Sequence, residues 1–248
     1  MPPLATPPRN SPHLNPPARE AFSAREWRLI SRLSSPRAVQ TFLDRLPYNT
    51  EPAPGGPTLR TFRGVVRAGT AHCLEAALTA AVILEHHGVP PRVMSLESID
   101  GLDHVILVYQ VRGRWGSVAR SRDPGLQGRP PVFRSLRALA MSYFAPFIDT
   151  TGCLRAYGAA DLRVLGRYDW RLSSGNVWRV AQLLYDIPHR PIRYSQPRVD
   201  RLRAEYYRRR RELGIGGQAK WLMVNGQWPM VSGQWSVANG QWVVTTNH

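Results

Sequence analysis

Apolar residues recur along this chain in two rhythms, the three-to-four spacing of helices and the alternation or short runs of strands. Ser23-Ala-Arg-Glu26 has capping-box spacing, and Trp27, Leu29, Ile30 and Leu33 supply the apolar stripe of a first helix. Ser35-Pro36 joins an N-cap to a proline at the first helical position, opening a second helix to about Leu46 that buries Val39, Phe42, Leu43 and Leu46. A proline- and glycine-rich loop, Glu51 to Pro57, follows. Thr70 to His87 then reads as an alanine-rich helix closed by Gly88. Leu74, Ala77, Leu78, Ala81, Val82 and Leu84 go most of the way round it, which predicts a buried helix. Pro90 and Pro91 prevent its continuation.

The rhythm changes after Pro91. Arg92 to Glu97 reads as a strand, Ser98 to Asp103 as a polar loop and His104 to Val111 as an apolar strand. Arg112-Gly113 is the turn to a partner strand, Trp115 to Ser121. A two-residue turn sets Val111 opposite Arg114 and carries His104 opposite Ser121, with Asp123 as diagonal neighbour at about 7–8 Å. Further helices are expected at Ser135 to Phe144, at Asn176 to Asp186 after a Ser173-Ser174-Gly175 start signal, and at Arg198 to Glu212. The fold class is therefore α+β: a buried helix packed on an antiparallel sheet, with extra helices on both sides. The chain divides into a proline-rich, disordered stretch (1–20), one domain (21–195), an arginine-rich helix (196–214) and a tail (215–248). In the tail Gly-Gln-Trp recurs at 226–228, 233–235 and 240–242, each copy reading as a turn followed by strand-like residues.

Composition narrows the function classes. With 43 % hydrophobic residues, the 248-residue chain can fill a sizeable core. It has no apolar run long enough for a membrane span and no basic-then-apolar leader, so a cytoplasmic location is expected. The formal charge of +16 is almost all arginine, since Lys220 is the only lysine. Codon bias can produce that composition. The sharper reading is a weak hold on nucleic acid or another anionic surface through Arg208, Arg209, Arg210 and Arg211. Two cysteines, Cys73 and Cys153, support neither a disulfide framework nor a cysteine zinc site, and no cofactor or metal is expected.

The chemistry-bearing residues sit where the rhythm changes. Cys73 falls in the first turn of the buried helix, where unpaired N–H groups and the helix dipole stabilise a thiolate. His104 opens the apolar strand and can serve as its base, with Ser121 or Asp123 as orienting partner. Of the two, a carboxylate also stabilises imidazolium. His72 points about 100° away from Cys73 on a helix and is the weaker base. Gln40 could donate to an oxyanion, although a helix-surface role is the simpler one. Glu75 suits the helix start, and Cys153 has no evident partner.

A cysteine at a helix start, a histidine opening a strand and an acid after the next strand is the order of transglutaminase-like domains. Thr70-Ala-His-Cys-Leu-Glu-Ala-Ala77, Asp103-His-Val-Ile-Leu-Val108 and Trp115-Gly-Ser-Val-Ala-Arg-Ser121 resemble small bacterial members of that superfamily. Ser35-Pro-Arg-Ala-Val-Gln40 and Leu46-Pro-Tyr-Asn49 are similar too, and the resemblance spans roughly residues 25–190. It implies a papain-like α+β fold and Cys-His-Asp acyl-transfer chemistry on a peptide or side-chain amide, as in transglutaminases, proteases and amidases. The family's acid usually stands four residues after a tryptophan; here that position is Ala119, and Asp123-Pro124 comes later. The alternative is a non-catalytic module of the same fold that holds an anionic partner through its arginine-rich helix.

Overall fold

The computed structural model describes residues 15–50 and 56–212, together with the backbone of 234–238 and 241–245. The chain runs through α1 (Ala24–Arg32), α2 (Pro36–Arg45), α3 (Phe62–Ala68) and α4 (Cys73–Glu85), then β1 (Arg92–Ser98), β2 (His104–Val111), β3 (Arg114–Val118) and β4 (Arg129–Phe133). It continues through α5 (Leu136–Met141), β5 (Leu154–Asp161), α6 (Trp178–Asp186), β6 (Arg190–Pro191) and α7 (Gln196–Glu212). The last two strands, β7 (Gln234–Ala238) and β8 (Gln241–Thr245), pair with each other. The three repeat turns of the tail, residues 51–55 of the proline- and glycine-rich loop and residues 1–14 of the proline-rich start lie outside the described residues. Within that start, Arg19–Ala21 form a 3-10 turn where disorder was expected.

The architecture is α+β: β1 to β6 form one antiparallel sheet in the order β4-β3-β2-β1-β5-β6. Alternation along the central strands feeds two cores. Val93, Val105, Leu107 and Tyr109 face the layer of α4, with α1, α2, α3 and α6 around it. Met94, Leu96, Ile106 and Val108 face Tyr143, Phe144 and Phe147, with Val199 and Leu202 of α7 beyond. Helices on both faces explain why the middle strands read as unbroken apolar runs. From Leu74 to Glu85 every residue of α4 is buried, and Gly88 turns the chain away with φ +79°. The expected capping box of α1 is present, as are the Ser35 cap and leading proline of α2.

The β2–β3 hairpin has the anticipated register, Val111 opposite Arg114 through to Leu107 opposite Val118. Arg112 and Gly113 both have positive φ, 49° and 73°, as a two-residue turn of this twist requires. However, β3 stops at Val118 instead of reaching Ser121, so the ladder never brings Ser121 opposite His104. Just past the end of β3 Gln40 holds the outer edge, on the side where β4 flanks β3: its Oε1 accepts the Ala119 N–H (2.9 Å) and its Nε2 donates to the Ala119 carbonyl (2.8 Å).

Four short elements were not anticipated: α3, β4, β5 and β6. At α6 the expected Ser-Ser-Gly start is absent; the helix begins at Trp178 without a side-chain cap, and Asn176 instead accepts the Leu59 N–H (2.9 Å). Both edge strands carry proline, Pro130 and Pro131 in β4 and Pro191 in β6. Gly116 lies where a Cβ would come within 2.9 Å of the Arg129 carbonyl, so its lack of a side chain lets β4 close on β3.

Candidate active site

Cys73 is the first residue of α4, because the helix starts three residues later than Thr70, and His72 is its N-cap. The half-buried sulfur therefore sits at the helix mouth. Burial alone pushes its pKa up, but hydrogen bonding to His104 and His72 and their charge outweigh that and hold the thiol well below its ordinary range. The two imidazoles have different duties. His72 Nδ1 accepts the Leu74 N–H (3.2 Å) while Nε2 lies 3.0 Å from the Thr58 carbonyl, to which it donates. These contacts cap α4 and tie it to the preceding loop, while the ring also lies within reach of the Cys73 sulfur.

His104 is 4 % exposed, so its polar atoms must find partners inside the protein. Nε2 lies 2.9 Å from the carbonyl oxygen of Leu126. A carbonyl only accepts, so Nε2 carries the hydrogen, and the neutral ring keeps Nδ1 as a proton acceptor for the sulfur. This is the arrangement a thiol's base needs, with a backbone carbonyl in the orienting place. Neither expected partner fills that place. Ser121 Oγ accepts the Asp123 N–H (3.0 Å), and the Asp123 carboxylate pairs with Arg122 at 3.3 Å. Both residues still line the same cavity as Cys73 and His104, on the loop that leads to Leu126.

That cavity encloses ≈ 460 Å³. Tyr48 stands in its wall beside Cys73; burial first, then the nearby sulfur, pushes its phenol well above the usual range, so it remains a hydrogen donor. Under the helix start, Glu75 is fully buried. It accepts the His72 N–H (3.1 Å), the Thr58 hydroxyl (2.8 Å) and two contacts from Arg60 (2.7 and 2.8 Å). Trp178, Leu184 and Tyr185 of α6 form an apolar wall, and Glu97, Asp103, Arg155 and His189 lie along the rest. Burial, with Glu97 nearby, raises the Asp103 carboxyl to about 6, although the Ser98 N–H (2.8 Å) and Arg155 oppose it. Nothing in the sequence pattern singled out Tyr48, Asp103 or the Leu126 carbonyl.

The remaining candidates fall outside this chemistry. Gln40 is engaged with Ala119 and with Asp44 (2.7 Å), a structural role. Cys153 is buried in the second core, and burial pushes its thiol up. In α7, Arg208 pairs with Glu212 (2.6 Å), Arg209 with Glu205, and Arg210 donates to the Tyr206 hydroxyl (2.9 Å). Among the described residues no helix is long and apolar enough to cross a membrane, and no three His, Cys, Asp or Glu side chains are grouped to hold a metal ion. Comparison with known proteins finds no family model and no curated protein that matches the chain.

Proposed function

We propose that this protein is a thiol-dependent acyl-transfer enzyme of transglutaminase-like character, acting on a peptide or side-chain amide. One observation carries the reading: His104 is fixed by the Leu126 carbonyl with Nδ1 left to accept, beside a thiol at a helix N-terminus whose pKa is held well down. The Cys73 thiolate attacks the amide carbonyl carbon, forming a C–S bond as the carbonyl π electrons move to oxygen. On collapse the C–N bond breaks and the departing amine takes its proton from the His104 imidazolium, leaving a thioester. Water then attacks with His104 accepting its proton; the C–S bond breaks, the carboxylic acid leaves and the thiol is restored. An amine in place of water gives a new amide by the same balance. Tyr48 O–H and the Cys73 N–H are donors at the helix mouth for the developing oxyanion.

The test is the rate of Cys73 alkylation by iodoacetamide from pH 5 to 10, with modification mapped by mass. Wild type should titrate well below about 8.5, the value of a free thiol. His104→Ala should move the midpoint up by more than a pH unit, and Asp123→Ala by less than about half a unit, because Asp123 does not hold His104. A wild-type thiol titrating near 8.5 and indifferent to His104 overturns the proposal. Hydrolysis of a fluorogenic peptide amide or thioester, abolished by Cys73→Ser, would supply the turnover measurement.

A further inference from the structure

The charge of the cleft runs against the charge of the protein. Over the whole chain arginine and lysine outnumber acids 33 to 17. A second cavity of ≈ 510 Å³ adjoins the first, with Leu102, Arg122, Asp123 and Leu126 lining both. Across the two, six acids (Glu97, Asp100, Asp103, Asp123, Asp149 and Glu205) face four arginines, with no lysine. A chain with twice as many bases as acids thus has this balance inverted where its candidate nucleophile lies. Arg122 is taken by Asp123, Arg209 by Glu205 and Arg155 by Glu97, so three of the four cations are already answered and three of the six acids, Asp100, Asp103 and Asp149, lie outside these ion pairs.

On the Cys73 side the inversion has a shape. Glu97 lies close enough for its charge to raise the Asp103 carboxyl, and Tyr185 stands close enough to feel the Asp103 charge. The Tyr185 side chain is 57 % exposed, a large aromatic surface left at the mouth of an apolar wall. A carboxylate beside an accessible aromatic face is the arrangement that receives an ammonium or guanidinium group, through charge and through the ring's quadrupole. Two contiguous cavities, each the size of a small-molecule site, suit an extended segment better than a single compact ligand.

We propose that the cleft takes a basic polypeptide segment, a lysine or arginine side chain seating against Asp103 and Tyr185, beside the Glu97–Arg155 pair, while the chain passes the Arg122–Leu126 loop into the second cavity. This rests on the reading of Cys73 as the reactive thiol and adds its substrate class. Anionic partners are then confined to the outer surface, and the arginines of α7 do not recruit the substrate.

The experiment separates the two ideas. Full-length protein is treated with two thiosulfonates of similar size, one ending in trimethylammonium and one in sulfonate. Each forms a Cys73 disulfide with loss of methanesulfinate, and each rate is divided by that for 2-mercaptoethanol. At pH 7.5 and low salt the normalised cation-to-anion ratio should exceed unity by about five-fold, shrinking in about 0.5 M NaCl. Asp103→Asn and Glu97→Gln should each return it to within about two-fold of unity. A ratio at or below unity, which the net +16 alone would give, overturns the proposal, as does a ratio untouched by both variants. An ordinary thiol midpoint with the ratio preserved would instead remove the catalytic reading and leave the cation seat standing. As a second arm, octapeptides alternating alanine with lysine or with glutamate, and a single-stranded oligonucleotide, compete against iodoacetamide. The lysine peptide should protect Cys73; equal or better protection by either polyanion refutes the basic-segment assignment.

Discussion

Glu75 and Asp103 stand next to Cys73 and His104, and burial has opposite outcomes for them. Asp103, answered mainly by one backbone N–H, is raised to about 6. For Glu75 burial also pushes upward, but hydrogen bonds from Arg60 and the charge of His72 overcome it and bring the pKa to about 2. The folded state therefore holds the Glu75 proton more weakly than the unfolded chain does. Its stabilisation is complete above the unfolded value near 4.5 and is lost as pH falls through that value towards 2. Glu75→Gln leaves the largely buried Arg60 side chain, 20 % exposed, facing a neutral amide. It should cost about 3–5 kcal/mol at pH 7 in urea unfolding, with the gap to wild type closing below about pH 3. Because Glu75 also accepts the His72 N–H, the variant should loosen the helix mouth on which Cys73 sits.

At the scale of elements, Gln40 is the residue whose side chain replaces secondary structure. Its amide pairs with Ala119 as an outer strand neighbour would, just where the chain leaves β3 towards Leu126. Gln40→Ala should destabilise the protein by about 1–2 kcal/mol. Cys73 alkylation should keep its pH midpoint, and thioester hydrolysis per folded molecule should be unchanged, whereas loss of an oxyanion donor would lower that turnover. The sequence made some elements plain and others not, for physical reasons. Capping chemistry is local, so α1, α2 and the end of α4 could be read directly. The β2–β3 register followed from a turn that admits only one pairing. By contrast β5, Leu154-Arg-Ala-Tyr-Gly-Ala-Ala-Asp161, is rich in small residues with poor strand propensity; pairing with β1 over most of its length makes it a strand. The prolines of β4 read as loop, and Gly64 inside α3 weakens its helical signal. The site was legible as a Cys–His pair but not as a triad. The group that holds His104 is a main-chain oxygen, which every residue type possesses and none advertises.

The molecule as a whole carries a large excess of positive charge, and self-repulsion of that kind is relieved by counterions. Raising NaCl from about 20 to 300 mM should therefore raise the melting temperature by a few degrees, measured by differential scanning calorimetry. A flat or falling response would mean that the ion pairs, such as Arg171–Glu85 at 2.8 Å, outweigh the repulsion they sit within. The two ends of the sheet have a consequence for recognition. Pro130, Pro131 and Pro191 leave the outermost strands short of N–H groups, so an incoming peptide finds little hydrogen-bonding template along either margin. Many peptide-binding proteins secure affinity from main-chain pairing and use side-chain pockets only to choose among sequences. Here that division of labour is closed off, and grip and choice must come from the same few cleft side chains. Altering one of them should weaken all substrates together with discrimination between them, instead of trading one preference for another.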